Sequence, residues 1–377
     1  MLLCKNRVTD SYIIFISRIL DVYDLKRLLI RTVLGLIVLA FGCIGFLFMA
    51  QTNERGAGKY SPGYQTASLQ VPHRDVFLNL FIWYPTDDDR PTELIGQNAL
   101  FYGHYVRPNA KPKSGTHPVV VFSHGSGGNA LQVGWLAEAL AEKGYFVLAA
   151  NHPGTTSRDS LPERTVMIWE RANDLSEILN WAENPTIEGL SLDTENISVA
   201  GFSLGGHSAL AISGLQVSKA NFIEYCDRNP DIWDCGWLAR GGVDFDEINA
   251  ELYDAHYLDS RVGATIAIDP ALAPAAIIES AARITHPVMV INFEPHEGVP
   301  EALDAAQITE MMPNARYMAI PQSWHFSFLP ECSLLGKIVI GLGVEENICS
   351  DWKLRDRNDV HQALIHQIIP FLEENLQ

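Results

Sequence analysis

One stretch constrains this chain more than any other: Ile197-Ser198-Val199-Ala200-Gly201-Phe202-Ser203-Leu204-Gly205-Gly206-His207-Ser208-Ala209-Leu210-Ala211. An apolar run suited to a buried strand meets a Gly-x-Ser-x-Gly turn, and small residues suited to a closely packed helix follow. A strand that passes into a helix through a single residue leaves little room for side chains beside the bend, so glycine stands two positions before and after Ser203. Such a turn lifts the serine hydroxyl clear of the backbone. It also aims the first amides of the helix at the space beside that hydroxyl, where an oxyanion can be held. A glycine-rich turn without chemistry has the same local pattern, so the partners of Ser203 elsewhere in the chain decide the reading.

Around this stretch the sequence alternates strands and helices. Val119 to Phe122 reads as a continuous apolar strand that ends in Ser123-His124-Gly125-Ser126-Gly127-Gly128, and a helix runs from Asn129 through Lys143 to a stop at Gly144. Tyr145 to Ala150 is the next strand, closing on Asn151-His152-Pro153-Gly154. A helix from about Glu163 to Asn184 follows, with Ile168, Ala172, Leu175, Leu179 and Ala182 on one face. Beyond the serine turn come strands Val262 to Ile268, Val288 to Phe293 and Ala315 to Ile320, a helix from Glu301 to Met312, and a last helix at about Val360 to Glu374. Upstream, Tyr64 to Val71 and Val76 to Tyr84 read as two further strands, and Leu94 to Ser114 as an irregular connection. The expected class is α/β: a mostly parallel sheet with helices on both faces and ligands at the carboxyl ends of its strands. Residues 217–261 break the rhythm and read as a cap over those ends, in which Trp233 and Trp237 would shape an apolar acyl or aryl site. A second excursion spans Cys332 to Cys349.

A serine hydroxyl attacks only when a base takes its proton, and on such a sheet the partners follow in the order serine, acid, histidine. His325, in Gln322-Ser323-Trp324-His325-Phe326, is the one histidine between the last strand and the last helix. For the acid, Asp269 in Ala267-Ile268-Asp269-Pro270 sits just past one strand, and Glu294 past the next; Asp269 is preferred because aspartate is the commoner orienter, although it also reads as a helix cap before Pro270. The amides of Leu204 and Ser126 are the candidate oxyanion donors. No cysteine or histidine set has metal spacing.

The amino terminus has a different composition. Lys5, Arg7, Arg18, Lys26, Arg27 and Arg31 make residues 1–31 a basic leader, and residues 32–50 carry no charge. As a helix that run is about 28 Å long, close to the hydrocarbon thickness of a bilayer. It reads as a signal anchor or a secretory signal, with 51–63 as a linker and 64–377 exported, either membrane-anchored or released. The formal charge of −18 leaves no basic field for phosphates and argues against a nucleic-acid partner. Cys226 with Cys235 and Cys332 with Cys349 form two local pairs, which in an oxidising compartment suggests two disulfides; buried free thiols are the alternative.

Taken together, Phe122 to Gly128, Asn151 to Gly154, Gly201 to Gly206, Asp269-Pro270-Ala271-Leu272 and His325-Phe326-Ser327-Phe328-Leu329 resemble the α/β-hydrolase superfamily over about Pro72 to Leu376. Within it the chain is similar to the dienelactone hydrolase and platelet-activating-factor acetylhydrolase-like branch, which includes cutinase-like polyesterases. The resemblance implies an eight-stranded sheet, an acyl-serine intermediate, and neither metal nor other cofactor. Many relatives carry an aspartate about where His296 stands, whereas the acetylhydrolase-like members, with the acid after the sixth strand, favour Asp269. The expected activity is hydrolysis of a small acyl, aryl or lipid-like carboxylic ester. An acyltransferase using the same acyl-enzyme, and a catalytically silent exported binding module, are the alternatives.

Overall fold

Strands covered on both faces must be apolar on both faces, and the centre of this molecule is built on that rule. The computed structural model describes residues 26, 29–43, 45–46, 60–187, 189–296, 298–343, 348–349, 351 and 354–376. The chain divides into two units, 1–56 and 57–377. In the first, residues 29–43 and 45–46 are helical, with Leu36, Val38, Leu39 and Phe41 exposed. Among the described residues no helix is long and apolar enough to cross a membrane. Most of the basic leader, positions 44 and 47–50 of the uncharged run, and residues 51–59 of the linker lie outside the described residues.

The second unit is one ten-stranded sheet, made of β1 (Gly63–Val71), β2 (Val76–Tyr84), β3 (Glu93–Ile95), β4 (His104–Pro108), β5 (His117–Ser123), β6 (Phe146–Ala150), β7 (Leu192–Phe202), β8 (Val262–Ile268), β9 (Val288–Glu294) and β10 (Ala315–Pro321), in the spatial order β10-β9-β8-β7-β5-β6-β2-β1-β4-β3. The six strands from β6 to β10 run parallel. β2 joins them antiparallel through β6, and β1 pairs antiparallel with β2. The expectation of eight strands fell short by β3 and β4, which lie inside the presumed irregular connection. Both are short edge strands, and β4 matches β1 at only two positions, so neither carries the alternating pattern that marks a half-buried strand.

Residues alternate between two cores. Val120 and Phe122 of β5 pack with Leu136 and Leu140 of helix α1 (Gly134–Glu142) and with Val360, Leu364 and Ile368 of the last helix. Val119 and Val121 face the other way, onto Leu175, Ile178 and Leu179 of α2 (Ile168–Glu183) and Ala209 and Ile212 of α3 (Leu204–Ile212). The helix expected from Asn129 begins instead as a single 3-10 turn, Ala130–Val133, because the Asn129 side chain caps the Leu131 amide. The helix expected from Glu163 is broken into Pro162–Thr165 and α2. The one expected from Glu301 shortens to Ala306–Met311, where Asp304 accepts the Ala306 amide.

The cap holds α4 (Lys219–Arg228) and α5 (Trp233–Arg240), joined by the Cys226–Cys235 disulfide. Phe222, Tyr225, Leu238 and Tyr253 give it a small core of its own, which includes Val166 and Leu204 from the body. Cys332–Cys349 closes the second excursion, and Phe101 bridges to Cys332, tying the edge connection to that loop. The last helix is α6 (Arg357–Asn375). The Cys332–Cys349 bond spans 17 residues, and a loop of that length restricts the unfolded chain by about 3 kcal/mol. Replacing both cysteines with serine is therefore expected to lower the urea-unfolding free energy by about that amount, and an unchanged midpoint would contradict the bond.

Candidate active site

Ser203 occupies the single residue between β7 and α3, with φ 56° and ψ −122°, in a region that non-glycine residues rarely enter. Three backbone bonds hold it there. Its own N–H donates to the Ile268 carbonyl at 2.9 Å, and its carbonyl accepts the amides of His207 at 3.0 Å and Ala271 at 3.1 Å. The flanking glycines are required by space. A Cβ on Gly205 would fall on the carbonyl of Ser123, and one on Gly201 would fall on the carbonyl of Gly205.

His325 opens a single 3-10 turn, His325–Phe328, shortly after β10. Its Nε2 lies 3.0 Å from Ser203 Oγ and its Nδ1 2.6 Å from Asp269 Oδ2. The imidazole rests on Phe202 with ring centroids 4.6 Å apart, and Phe328 stacks on the Phe202 ring at 4.4 Å. Asp269 follows β8 and is 1% exposed. Its second oxygen accepts Asn292 Nδ2 at 2.8 Å and the Phe293 amide at 3.0 Å. With Oδ1 taken by two donors, Oδ2 is turned to His325 Nδ1 and can accept from the tautomer that carries its proton there. Nε2 is then free to accept from the serine.

Glu294 ends β9, and no hydrogen bond among the described residues links its side chain to His325; Asp269 occupies the Nδ1 position instead. Asn292 did not emerge from the sequence reading, although a polar amide in the otherwise apolar run Val288–Phe293 was a signal that it must be satisfied inside the protein. It is fully buried. Besides Asp269 it serves the Leu303 carbonyl at 2.7 Å and the Ala305 amide at 3.2 Å.

Ser126 lies beside Ser203, in the turn after β5. In that turn the amides of Gly127 and Gly128 are taken by the carbonyls of Thr155 and Gly125. Among the described residues no acceptor takes the Ser126 N–H, and Leu204, as the first residue of α3, has no intrahelical acceptor.

Beneath this turn lies a buried polar network that sequence reasoning also missed. Arg171 is 1% exposed; its Nη1 donates to Thr155 Oγ1 at 2.7 Å, its Nη2 to Ser123 Oγ at 3.0 Å and to the His124 carbonyl. Its Nε reaches Ser208 Oγ on α3 at 3.3 Å. Ser123 Oγ is also 2.9 Å from His152 Nε2, and His152 Nδ1 is 2.8 Å from Asp174 Oδ2. Burial first, then the Arg171 charge, pull His152 down to about 4, so it is neutral at pH 7 and donates through Nδ1 to the carboxylate. Burial pushes the Asp174 carboxyl up, but bonds from His152 and His73 and the charge of Arg74 outweigh it and hold it well below the usual range. Arg171 and Asp174 were legible only as a fault in a helix: they fall beside Ile168 and Leu175 on the buried face, where charge needs partners.

Two cavities meet at Ser203. The smaller, about 60 Å³, is lined mainly by apolar groups of the body and the cap, including Val166, Ile168, Phe222 and Leu272. The larger, about 430 Å³, is lined by the Gly125 to Gly128 turn, His325, Phe326 and Leu329. Ser126 and Trp237 border both. The Trp233 side chain lies outside the described residues.

A mostly parallel sheet flanked by helices, with a serine at a strand-to-helix turn and a histidine on the loop after the last strand, is the α/β-hydrolase fold. Solved structures share it. A ferulic acid esterase from Streptomyces cinnamoneus is similar with a TM-score of 0.59 and 19% identity, over 85% of this chain and 92% of that one. A dienelactone hydrolase from Anabaena variabilis ATCC 29413 gives 0.41 and 17%, over 78% of this chain and 100% of that one. Est1E from Butyrivibrio proteoclasticus gives 0.42 and 12%, over 82% and 99%. No protein-family model and no curated protein sequence matches the chain.

The low value for His152 has a stability consequence. A histidine held neutral in the fold but free to protonate near 6.5 when unfolded contributes stability that is complete above about 6.5 and lost as the pH falls toward 4. Melting temperatures measured from pH 7 to pH 4 should fall through that window, with up to about 3 kcal/mol attributable to this residue. A flat profile between pH 6.5 and 4.5 would contradict the buried network.

Proposed function

We propose that the protein is a serine hydrolase that cleaves carboxylic esters of short acyl chains through an acyl-serine intermediate. The observation that carries this reading is the line of contacts from a strained, buried serine to His325 Nε2 at 3.0 Å and from His325 Nδ1 to the buried Asp269 at 2.6 Å. His325 takes the hydroxyl proton as Ser203 Oγ attacks the carbonyl carbon, and Asp269 orients the ring and balances the imidazolium. The amides of Ser126 and Leu204 receive the oxyanion. The imidazolium then gives its proton to the leaving alkoxide, and water repeats the sequence to release the acid.

Proton delivery also assigns the two cavities. His325 lines the larger cleft and not the smaller cavity, so the leaving alcohol occupies the cleft and the acyl group occupies the smaller pocket. A pocket of about 60 Å³ suits a short acyl chain, while the cleft of about 430 Å³ accommodates varied alcohols. The ester-cleaving name of the S. cinnamoneus neighbour agrees with the reaction class; its aromatic acid is not carried over. The Cys226–Cys235 and Cys332–Cys349 bonds support an oxidising location, and with the uncharged run at 32–50 they favour export, anchored or released.

Wild-type protein should hydrolyse p-nitrophenyl acetate and butyrate and be labelled by a fluorophosphonate, and Ser203→Ala should lose both, with turnover down at least about 10³-fold. Labelling without turnover would instead point to acyl transfer, and neither labelling nor turnover to a silent scaffold. Asn292→Leu, which removes one donor from Asp269 Oδ1, should lower kcat about tenfold with KM little changed; a change in KM alone would contradict the positioning role.

A further inference from the structure

The acyl pocket contains one charged residue, and it is the least expected group there. Asp234 lies in the first turn of α5 and lines the small cavity with Ser203, Leu204, Phe222, Leu238 and Leu272. No lysine or arginine among the described residues lines that cavity. Oδ1 accepts the Cys235 amide at 2.8 Å, and no described side chain donates to the carboxylate. An acid at a helix start is ordinarily favourable and exposed, its charge complementing the first amides. Here burial raises the Asp234 carboxyl above its usual range even though the amides at the helix start act in the opposite direction. The position thus costs the ionised side chain more than the helix returns, and an apolar residue would line the cavity at lower cost.

We propose that Asp234 is a specificity determinant that selects short acyl groups bearing a hydrogen-bond donor, a hydroxyl or an ammonium, over plain alkanoyl groups. This rests on the assignment of the small cavity to the acyl side. With the acyl carbonyl held between Ser203 and the oxyanion amides, the rest of the acyl chain shares its pocket with Asp234. A donor on that chain supplies the partner the protein withholds, whereas a methyl group leaves the carboxylate desolvated and unpaired.

The test compares p-nitrophenyl butanoate, 3-hydroxypropanoate and 3-aminopropanoate, which have equal numbers of acyl heavy atoms, with a shared leaving group. The wild-type ratio of kcat/KM for a donor-bearing ester to that for butanoate should exceed one, and Asp234→Leu should lower that ratio at least tenfold. Asp234→Asn, which keeps the size and an acceptor oxygen but loses the charge, should abolish any preference for the ammonium while retaining part of that for the hydroxyl. Thermal melting supplies an independent readout, because removing a desolvated carboxylate should raise the melting temperature of Asp234→Leu at pH 7. Equal ratios in the wild type and Asp234→Leu would overturn the proposal. Loss of turnover of all three esters in the wild type would overturn the underlying esterase reading instead, so the two failures are separable.

Discussion

The arrangement depends on one backbone conformation, the left-handed residue at 203. A non-glycine residue at φ 56° is costly by about 1 to 3 kcal/mol, and it persists only where the surroundings overdetermine it. Here they do. The Ser203 amide is bound to the end of β8, its carbonyl is bound twice, and the glycines at 201 and 205 allow the strand, the helix and the turn after β5 to meet at backbone distance. That close approach puts the hydroxyl at the carboxyl edge of the sheet, beside the first amide of α3 and within reach of a loop from β10. A side chain larger than hydrogen at 205 would push the Ser123 end of β5 away and with it the Ser126 amide.

The rigidity extends downward through charge. Arg171 is buried, and its three nitrogens meet Ser208 on the serine helix, Thr155 on the loop after β6, and Ser123 and His124 at the end of β5. Three elements that meet around Ser203 are thereby bound to one guanidinium. Asp174, also fully buried, opposes that charge across the neutral His152 and itself pairs with Arg74, which reaches across from the β1–β2 turn. Replacing one member would strand the others, the costly way to perturb a buried ionic set. The network therefore links the position of the proposed oxyanion amides to the outer hairpin of the sheet.

The cap has a different part. It adds a small core of its own, and a disulfide fixes α4 to α5, so that the wall facing Ser203 is shaped by residues far from the serine in sequence. Trp237 borders both cavities, so the cap stands between a small space and a larger one above the hydroxyl.

Much of the fold was legible because the signals are local. The strand and helix around Ser203, the strands that line the centre of the sheet and the cysteine pairs follow from composition and spacing over windows of fewer than twenty residues. So does the position of His325 after the last parallel strand. The edge strands β3 and β4 were not legible, since two- and three-residue pairings carry no periodicity. Sequence preferred Asp269 to Glu294, which stand at equivalent strand ends, but only the closing of the sheet shows which carboxylate meets the imidazole. Asn292, Arg171, Asp174 and Asp234 owe their surroundings to contacts between distant segments. The sequence by itself therefore determined the order of elements and the placing of a serine at the strand-to-helix turn and a histidine after the last strand, because these are written in neighbouring residues. The tertiary structure alone decided which carboxylate meets His325, the buried network and the two cavities at Ser203, because each is a matter of which remote side chains share the same low-dielectric space.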